Sequence, residues 1–191
     1  MNRRTSVKGI LALGFVGASS VSLYKWINLH RDFNISELLS QKSLIAELAE
    51  TIIPTTHTPG AKQAGVQNYI INVIINCTGK VEQNRFLNGL HNVNNYSVEE
   101  FNKSFVDCSS TERISILKSF ESKDSFKYPI INKINNKLLG QTFFSKLKQL
   151  TVDGYCSSEI GATLGLAYDY IPGTYQACTN LQRNQKSWAT K

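Results

Sequence analysis

Thr55, Thr56, His57 and Thr58 stand in a row within TIIPTTHTPGAKQAGVQNYI (51–70), and their types invite a chemical reading. An imidazole among hydroxyls is the raw material of a nucleophile with its base, or of a metal site. Neither pattern is completed: His30 and His91 lie far off in sequence, and no second ligand or nucleophile stands at a defined spacing from His57. Cys77, Cys108, Cys156 and Cys178 make no CxxC or CxxH spacing, which argues against zinc and against c-type haem attachment. The chain has no GxGxxG, no Gly-rich phosphate loop with Lys, no HExxH and no GxSxG elbow. Ser97 with Glu100, and Ser109 with Glu112, have the spacing of capping boxes, so they read as helix starts and not as acid and base pairs. The residues therefore assign no catalytic, cofactor-binding or metal-binding role, and His57 reads as part of a corner.

Helices must form that corner. From Ser43 to Ile53, Leu44, Ile45, Leu48, Ala49, Ile52 and Ile53 recur at helical spacing, with Glu47 and Glu50 on the other face. Pro54 then closes the helix, because a proline pushes the residue before it away from helical angles. The spacing predicts a second helix from near Gln63, burying Val66, Tyr69, Ile70, Val73, Ile74 and Cys77 and wetting Asn68, Asn72 and Asn76. Between them, the threonine hydroxyls offer hydrogen bonds to backbone amides and Pro59-Gly60 turns the chain.

Two short helices opened by the serines are expected to turn Phe101 and Phe105, then Ile114, Leu117 and Phe120, inward. A longer one is expected from about Tyr128 to Tyr155, with Gly140 as a tolerated weak point. No stretch has the sustained alternation that a strand needs. At 191 residues and 41% apolar, the chain suits one domain with a real core. The expected fold is all-α: an irregular small helical bundle with an N-terminal signal helix and an extended C-terminal tail. Residues 1–31 read as signal and linker, and 32–191 as the domain, helical to about 156 with its tail over 157–191.

The net charge of +7 raises the possibility of an anionic partner. Arg3, Arg4 and Lys8 crowd the N-terminus, however, and the other basic residues are scattered singly, which argues against nucleic acid. MNRRTSVKG followed by ILALGFVGASSVSL has the charged-then-apolar layout of an export signal. Its uncharged stretch between Lys8 and Lys25 is about 24 Å long as a helix, short of the ~30 Å hydrocarbon core of a membrane. Arg3, Arg4 and Lys8 resemble the twin-arginine export signal, with Asn2 at its polar position, Val7 at its Leu position and Ser6 replacing its Phe. That route carries proteins already folded. Small residues at Gly17, Ala18, Ser19, Ser20 and Ser22 offer several cleavage sites, so removal and retention of the signal both stay open. In an oxidising periplasm Cys77, Cys108, Cys156 and Cys178 are disulfide candidates; buried free thiols are the other reading.

After Tyr155 the texture changes. CSSEIGATLGLAYDYIPGTYQACTNLQRNQKSWATK is rich in glycine, tyrosine and turn residues and has little periodicity. Aromatic side chains on such a tail are costly to leave in water, so it either wraps its own bundle or docks on another protein.

TIIPTTHTPGAKQAGVQNYI resembles the N-terminal signature of the gluconate 2-dehydrogenase subunit 3 family, and GYCSSEIGATLGLAYDYIPGTYQAC its C-terminal one, in the same order. The resemblance implies a small, non-catalytic subunit of a membrane-associated, FAD-dependent sugar, polyol or gluconate dehydrogenase. It would escort a large flavoprotein of the glucose-methanol-choline type through the twin-arginine translocase, with a cytochrome c subunit as a possible further partner. FAD would then belong to the large subunit, and the location would be the periplasm, at the outer face of the bacterial inner membrane. Pro59, Gly60, Tyr155, Glu159, Ile160, Gly161, Pro172, Gly173, Tyr175 and Cys178 are the positions on which the resemblance places the partner interface. Cys178 would crosslink to Cys77, Cys156 or the large subunit. His57 and Cys156 depart from the family's usual acidic and aromatic residues, so no role is carried over to them. The alternative is a stand-alone periplasmic or membrane-tethered structural protein.

Overall fold

The computed structural model describes residues 29–124, 141–171, 173, 178, 180 and 183–189. Arg3, Arg4, Lys8, the expected signal helix, Pro172 and Tyr175 lie outside the described residues. The chain is helical: α1 (Ile35–Ser40), α2 (Lys42–Ile52), α3 (Val66–Cys77), α4 (Lys80–Phe101), a 3-10 turn (Phe105–Asp107), α5 (Ser110–Asp124), α6 (Phe143–Ser157) and a π-turn (Gly161–Gly165). Among the described residues there is no strand, only an isolated parallel bridge between Ala167 and Trp188. None of the described helices is long and apolar enough to cross a membrane.

The apolar stripe of α2 is buried as its spacing predicts, with Leu44, Ile45, Leu48 and Ala49 inside. The helix stops at Ile53, which takes non-helical angles (φ −124°, ψ 87°) before Pro54. The next helix starts later than Gln63. Residues 61–65 form a turn, and Gly65 enters the left-handed region at φ 72°, which a side chain would resist. On α3, Val66, Ile70, Ile71 and Ile74 are buried and Asn68, Asn72 and Asn76 exposed. Cys77, expected on the buried stripe, is exposed in the last turn. There the Gln83 amide of α4 closes the helix end, donating to the carbonyls of Ile74 (2.9 Å) and Ile75 (3.0 Å).

Helix α4 was not expected, and it corrects one capping box. Ser97 lies inside this helix and is fully buried, with its hydroxyl donating to the Lys103 carbonyl at 2.8 Å. A Ser-x-x-Glu spacing caps only where the chain enters from extended structure, and here helix already precedes it. The second box forms as expected. Glu112 accepts from the Ser109 amide (2.7 Å) and hydroxyl (2.9 Å), and the Ser109 oxygen accepts from the Glu112 amide (3.4 Å). Phe105 is buried in the 3-10 turn instead of a helix, its amide donating to the Asn94 side chain at 3.3 Å. On α5, Ile116 and Leu117 face inward while Ile114, expected there, is exposed.

The continuous helix expected over Tyr128 to Tyr155 is broken. Gln141 and Thr142 are not helical, and α6 opens at Phe143 behind an extended Thr142. Phe143 is drawn onto α4, with its ring centroid 5.3 Å from that of Phe86 and its side chain over Gly89, where an added Cβ would meet the ring at 2.2 Å. At its other end α6 lies on α3, with Gly154 admitting Tyr69 and Val66. These contacts enclose a core that includes Leu38, Leu48, Ile70, Leu87, Leu90 and Leu147, each fully buried and each stabilising by about 1.5–3 kcal/mol through loss of apolar surface.

The domain takes in the end of the expected linker. Asn84 of α4 is fully buried and donates to the carbonyls of Leu29 (3.2 Å) and Arg31 (2.8 Å), while Lys80 pairs with Asp32 at 2.8 Å. At the opposite end of the chain, the tail expected to be extended from residue 157 begins as a helical turn. Ser158 builds it, donating to the Tyr155 carbonyl (2.8 Å) and accepting from the Gly161 amide (3.0 Å).

Candidate functional site

Glu50, at the end of α2, organises the corner. Its carboxylate accepts from the Thr55 amide (2.8 Å), the Thr55 hydroxyl (2.7 Å) and the Lys62 amide (2.9 Å), spanning the whole reversal. Gly60 sits against it: an added Cβ would stand 2.4 Å from both Glu50 oxygens. Burial pushes the Glu50 carboxyl up, and the Glu47 charge adds to that, but the Thr55 hydroxyl and the Lys62 and Thr55 amides outweigh both and hold it below its ordinary value of 4.5. The outer threonines bond to each other: the Thr56 amide donates to the Thr58 carbonyl at 3.0 Å, and their hydroxyl oxygens lie 3.4 Å apart.

One turn earlier, Glu47 joins α2 to α5 and to the corner. It pairs with Arg113, whose guanidinium also donates to the carbonyls of Phe105 (3.2 Å) and Val106 (2.5 Å), and with Lys62 at 2.5 Å. Burial again acts to raise the carboxyl, and the Lys62 hydrogen bond and the two cationic neighbours more than reverse it. Glu50, Thr51, Pro54, Thr55, Ser110, Arg113 and Ile114 line a half-open cleft of about 220 Å³ beside this pair. Sequence reading placed Glu47 and Glu50 on the wet face and missed both roles.

His57 is exposed on the outer side of the corner, and His91 is bound to Glu37 (Nε2 to Oε1, 2.8 Å). Among the described residues no three of His, Cys, Asp and Glu are grouped to hold a metal ion. None of the cysteines is bonded to another: Cys77, Cys156 and Cys178 are exposed free thiols. Cys108 is buried with its sulfur 3.1 Å from the Ser97 hydroxyl, so it fills the core as a small apolar residue would.

The two sequence signatures meet at Tyr155. This residue is only 7% exposed, and its hydroxyl donates to the Pro59 carbonyl at 2.7 Å, across 96 positions of chain. Gly161 and Gly165 crowd it: an added Cβ would lie 2.0 Å from the Tyr155 carbonyl oxygen at the first and 2.4 Å from its hydroxyl at the second. Tyr155, Gly60 and Gly161, expected at a partner's surface, therefore lie inside the chain and shape the surface from within. Pro59 and Ile160 are half-buried, while Glu159, Gly173 and Cys178 are exposed.

From the π-turn onward several of the described apolar side chains face water. Leu164, Tyr168 and Trp188 are exposed, and Tyr170 and Ile171 are 83% and 74% exposed. The segment is nevertheless tied down. Lys186 donates to the Leu164 carbonyl at 2.9 Å, the Ala167 amide to Ser187 and the Ala189 amide to Ala167, each at 2.8 Å.

A family model described as gluconate 2-dehydrogenase subunit 3 matches residues 40–173. No curated protein and no solved structure matches the chain. The matched stretch holds both the corner and the π-turn and ends before the segment at 183–189 that returns to Ala167.

Proposed function

The chain belongs to the gluconate 2-dehydrogenase subunit 3 family, and we propose on that premise that it is the non-catalytic small subunit of a periplasmic, FAD-dependent sugar, polyol or gluconate dehydrogenase. It binds the large flavoprotein subunit, which holds the FAD, and escorts it through twin-arginine export by means of Arg3, Arg4 and Lys8. A cytochrome c subunit at the outer face of the inner membrane is the expected acceptor of electrons from the flavin.

The observation that carries this reading is the exposed apolar tail of a chain whose family is a dehydrogenase subunit. Tyr170 and Ile171 stand almost free in water, and Leu164, Tyr168 and Trp188 are exposed as well. Exposed apolar groups on a segment tied down at Leu164 and Ala167 suit a protein interface, and large aromatics are the usual energetic centres of one.

Co-purification tests it. A tagged chain recovered from its native host should bring down a large flavoprotein, seen by mass spectrometry and by flavin absorbance. Recovery of the chain alone and colourless, from an intact periplasmic extract, would count decisively against the complex. Replacing Arg3 and Arg4 by Lys should strand chain and partner together in the cytoplasm; normal periplasmic dehydrogenase activity in that variant would remove the escort role.

A further inference from the structure

We infer that Tyr155 is a positioning residue for the partner interface: its hydroxyl latches the π-turn to the corner, so that corner and tail form one docking surface for the catalytic flavoprotein subunit. This rests on the small-subunit reading above and adds to it the device that sets the surface.

A continuous run of contacts leads from one signature to the other. Tyr155 reaches the Pro59 carbonyl at 2.7 Å, and the π-turn closes on the same residue, on its backbone carbonyl at Gly161 and on its ring and hydroxyl at Gly165, where no Cβ would fit. From that turn the Leu164 carbonyl accepts Lys186, and Ala167 exchanges backbone hydrogen bonds with Ser187 and Ala189 on either side of Trp188. Every link from Pro59 to Trp188 is thus a named bond or close contact. Along this path the exposed side chains include His57 at the corner and Leu164, Tyr168 and Trp188 on the tail.

Binding a loose tail would cost the ordering of each side chain at the moment of docking, whereas a tail already fixed avoids most of that cost. The latch therefore acts on affinity by pre-organisation. It also explains why a tyrosine is placed almost wholly inside the chain at the base of an apolar surface: the ring fills the turn and the hydroxyl supplies a directional bond to the corner. The catalytic subunit is the occupant because the family of this chain is that of a dehydrogenase subunit, and because the corner, Leu164 and Tyr168 lie within the stretch that matches that family, with Trp188 added to them from beyond it.

Tyr155→Phe tests the latch in the full chain and in the complex, since it removes the hydroxyl and keeps the ring. In the free chain, amide hydrogen exchange at Ala167 and Ala189 should quicken by about three- to tenfold. Affinity for the flavoprotein should fall by about the same factor, with the unfolding midpoint close to wild type. Gly165→Ala, which drives a methyl group at the Tyr155 hydroxyl, should reproduce both effects, whereas Tyr168→Phe should quicken neither amide. Unchanged exchange and unchanged affinity in Tyr155→Phe would overturn the latch while leaving the small-subunit reading intact. A wild-type chain that recruits no flavoprotein overturns the small-subunit reading and the occupant, and amide exchange then still decides the latch. Self-association of the chain, seen by light scattering and abolished by Trp188→Ala, would assign the surface to a second copy and overturn the proposal.

Discussion

The corner at 54–60 and the tail beyond residue 163 treat their side chains in opposite ways. The corner is rich in polar groups of the kind that do chemistry, yet Glu50 and Thr55 bond to one another and Thr56 bonds to Thr58. The tail is rich in groups that ought to be buried, yet Tyr170 and Ile171 are left in water. A side chain that departs from its ordinary preference is the more informative one. Hydroxyls in a turn satisfying local amides are ordinary; Tyr168, Tyr170 and Trp188 all left exposed on one tail are not. The tail therefore carries the unusual surface, and the corner is its foundation.

The largest expected effect would come from taking the corner's organiser away. Glu50→Ala removes the acceptor of three hydrogen bonds and should lower unfolding free energy by about 2–3 kcal/mol, measured as a denaturant midpoint. A loss below about 0.5 kcal/mol would mean the corner stands without Glu50. In the tail the sign of the comparison reverses. Tyr170→Ala combined with Trp188→Ala should leave stability within about 0.5 kcal/mol of wild type while weakening partner affinity by about 2 kcal/mol, roughly thirtyfold. A variant that unfolds easily but still binds would make the tail part of the core instead.

A smaller effect should appear in the pH dependence. The folded Glu47 and Glu50 carboxyls lie below their ordinary value of 4.5. Their contribution to stability is therefore present above pH 4.5, and is lost as pH falls through the lower folded values. Glu50→Gln should flatten that acid limb in denaturation curves taken at successive pH values. A limb as steep as the wild type's would show that other carboxylates carry it. The smallest effect belongs to His57→Ala, which should change stability by less than about 0.5 kcal/mol and leave dehydrogenase turnover of the complex untouched. A large drop in turnover would restore the catalytic reading of the corner.

Local rules were legible and distant ones were not. The α2 stripe and the Ser109 capping box depend only on neighbours in sequence, and both formed. Ser97 matched the same capping pattern, but its position inside α4 and its bond to Lys103 were set by packing that the pattern does not encode. The break before Phe143 likewise belongs to Gly89 and Phe86, on another helix. Glu50 went unread because its partners stand five and twelve positions away, across a proline. A carboxylate one turn before a helix-ending proline, followed by a threonine, is the signal that would have found it. The two signatures were visible in the sequence, but their meeting at Tyr155 depends on the fold that brings α6 to the corner.

Asn84 bears on maturation. Its enclosed amide uses the carbonyls of Leu29 and Arg31 as acceptors, so the described domain is stitched to the last residues of the stretch read as signal and linker. A signal peptidase cutting among Gly17 to Ser22 would leave that stitch whole. A cut beyond Arg31 would strand a buried donor pair with nothing to receive it, a loss that folded proteins avoid. If the proposed export signal is removed, the cut is therefore expected ahead of Leu29, and a mature N-terminus mapped beyond Arg31 by mass spectrometry would overturn that expectation.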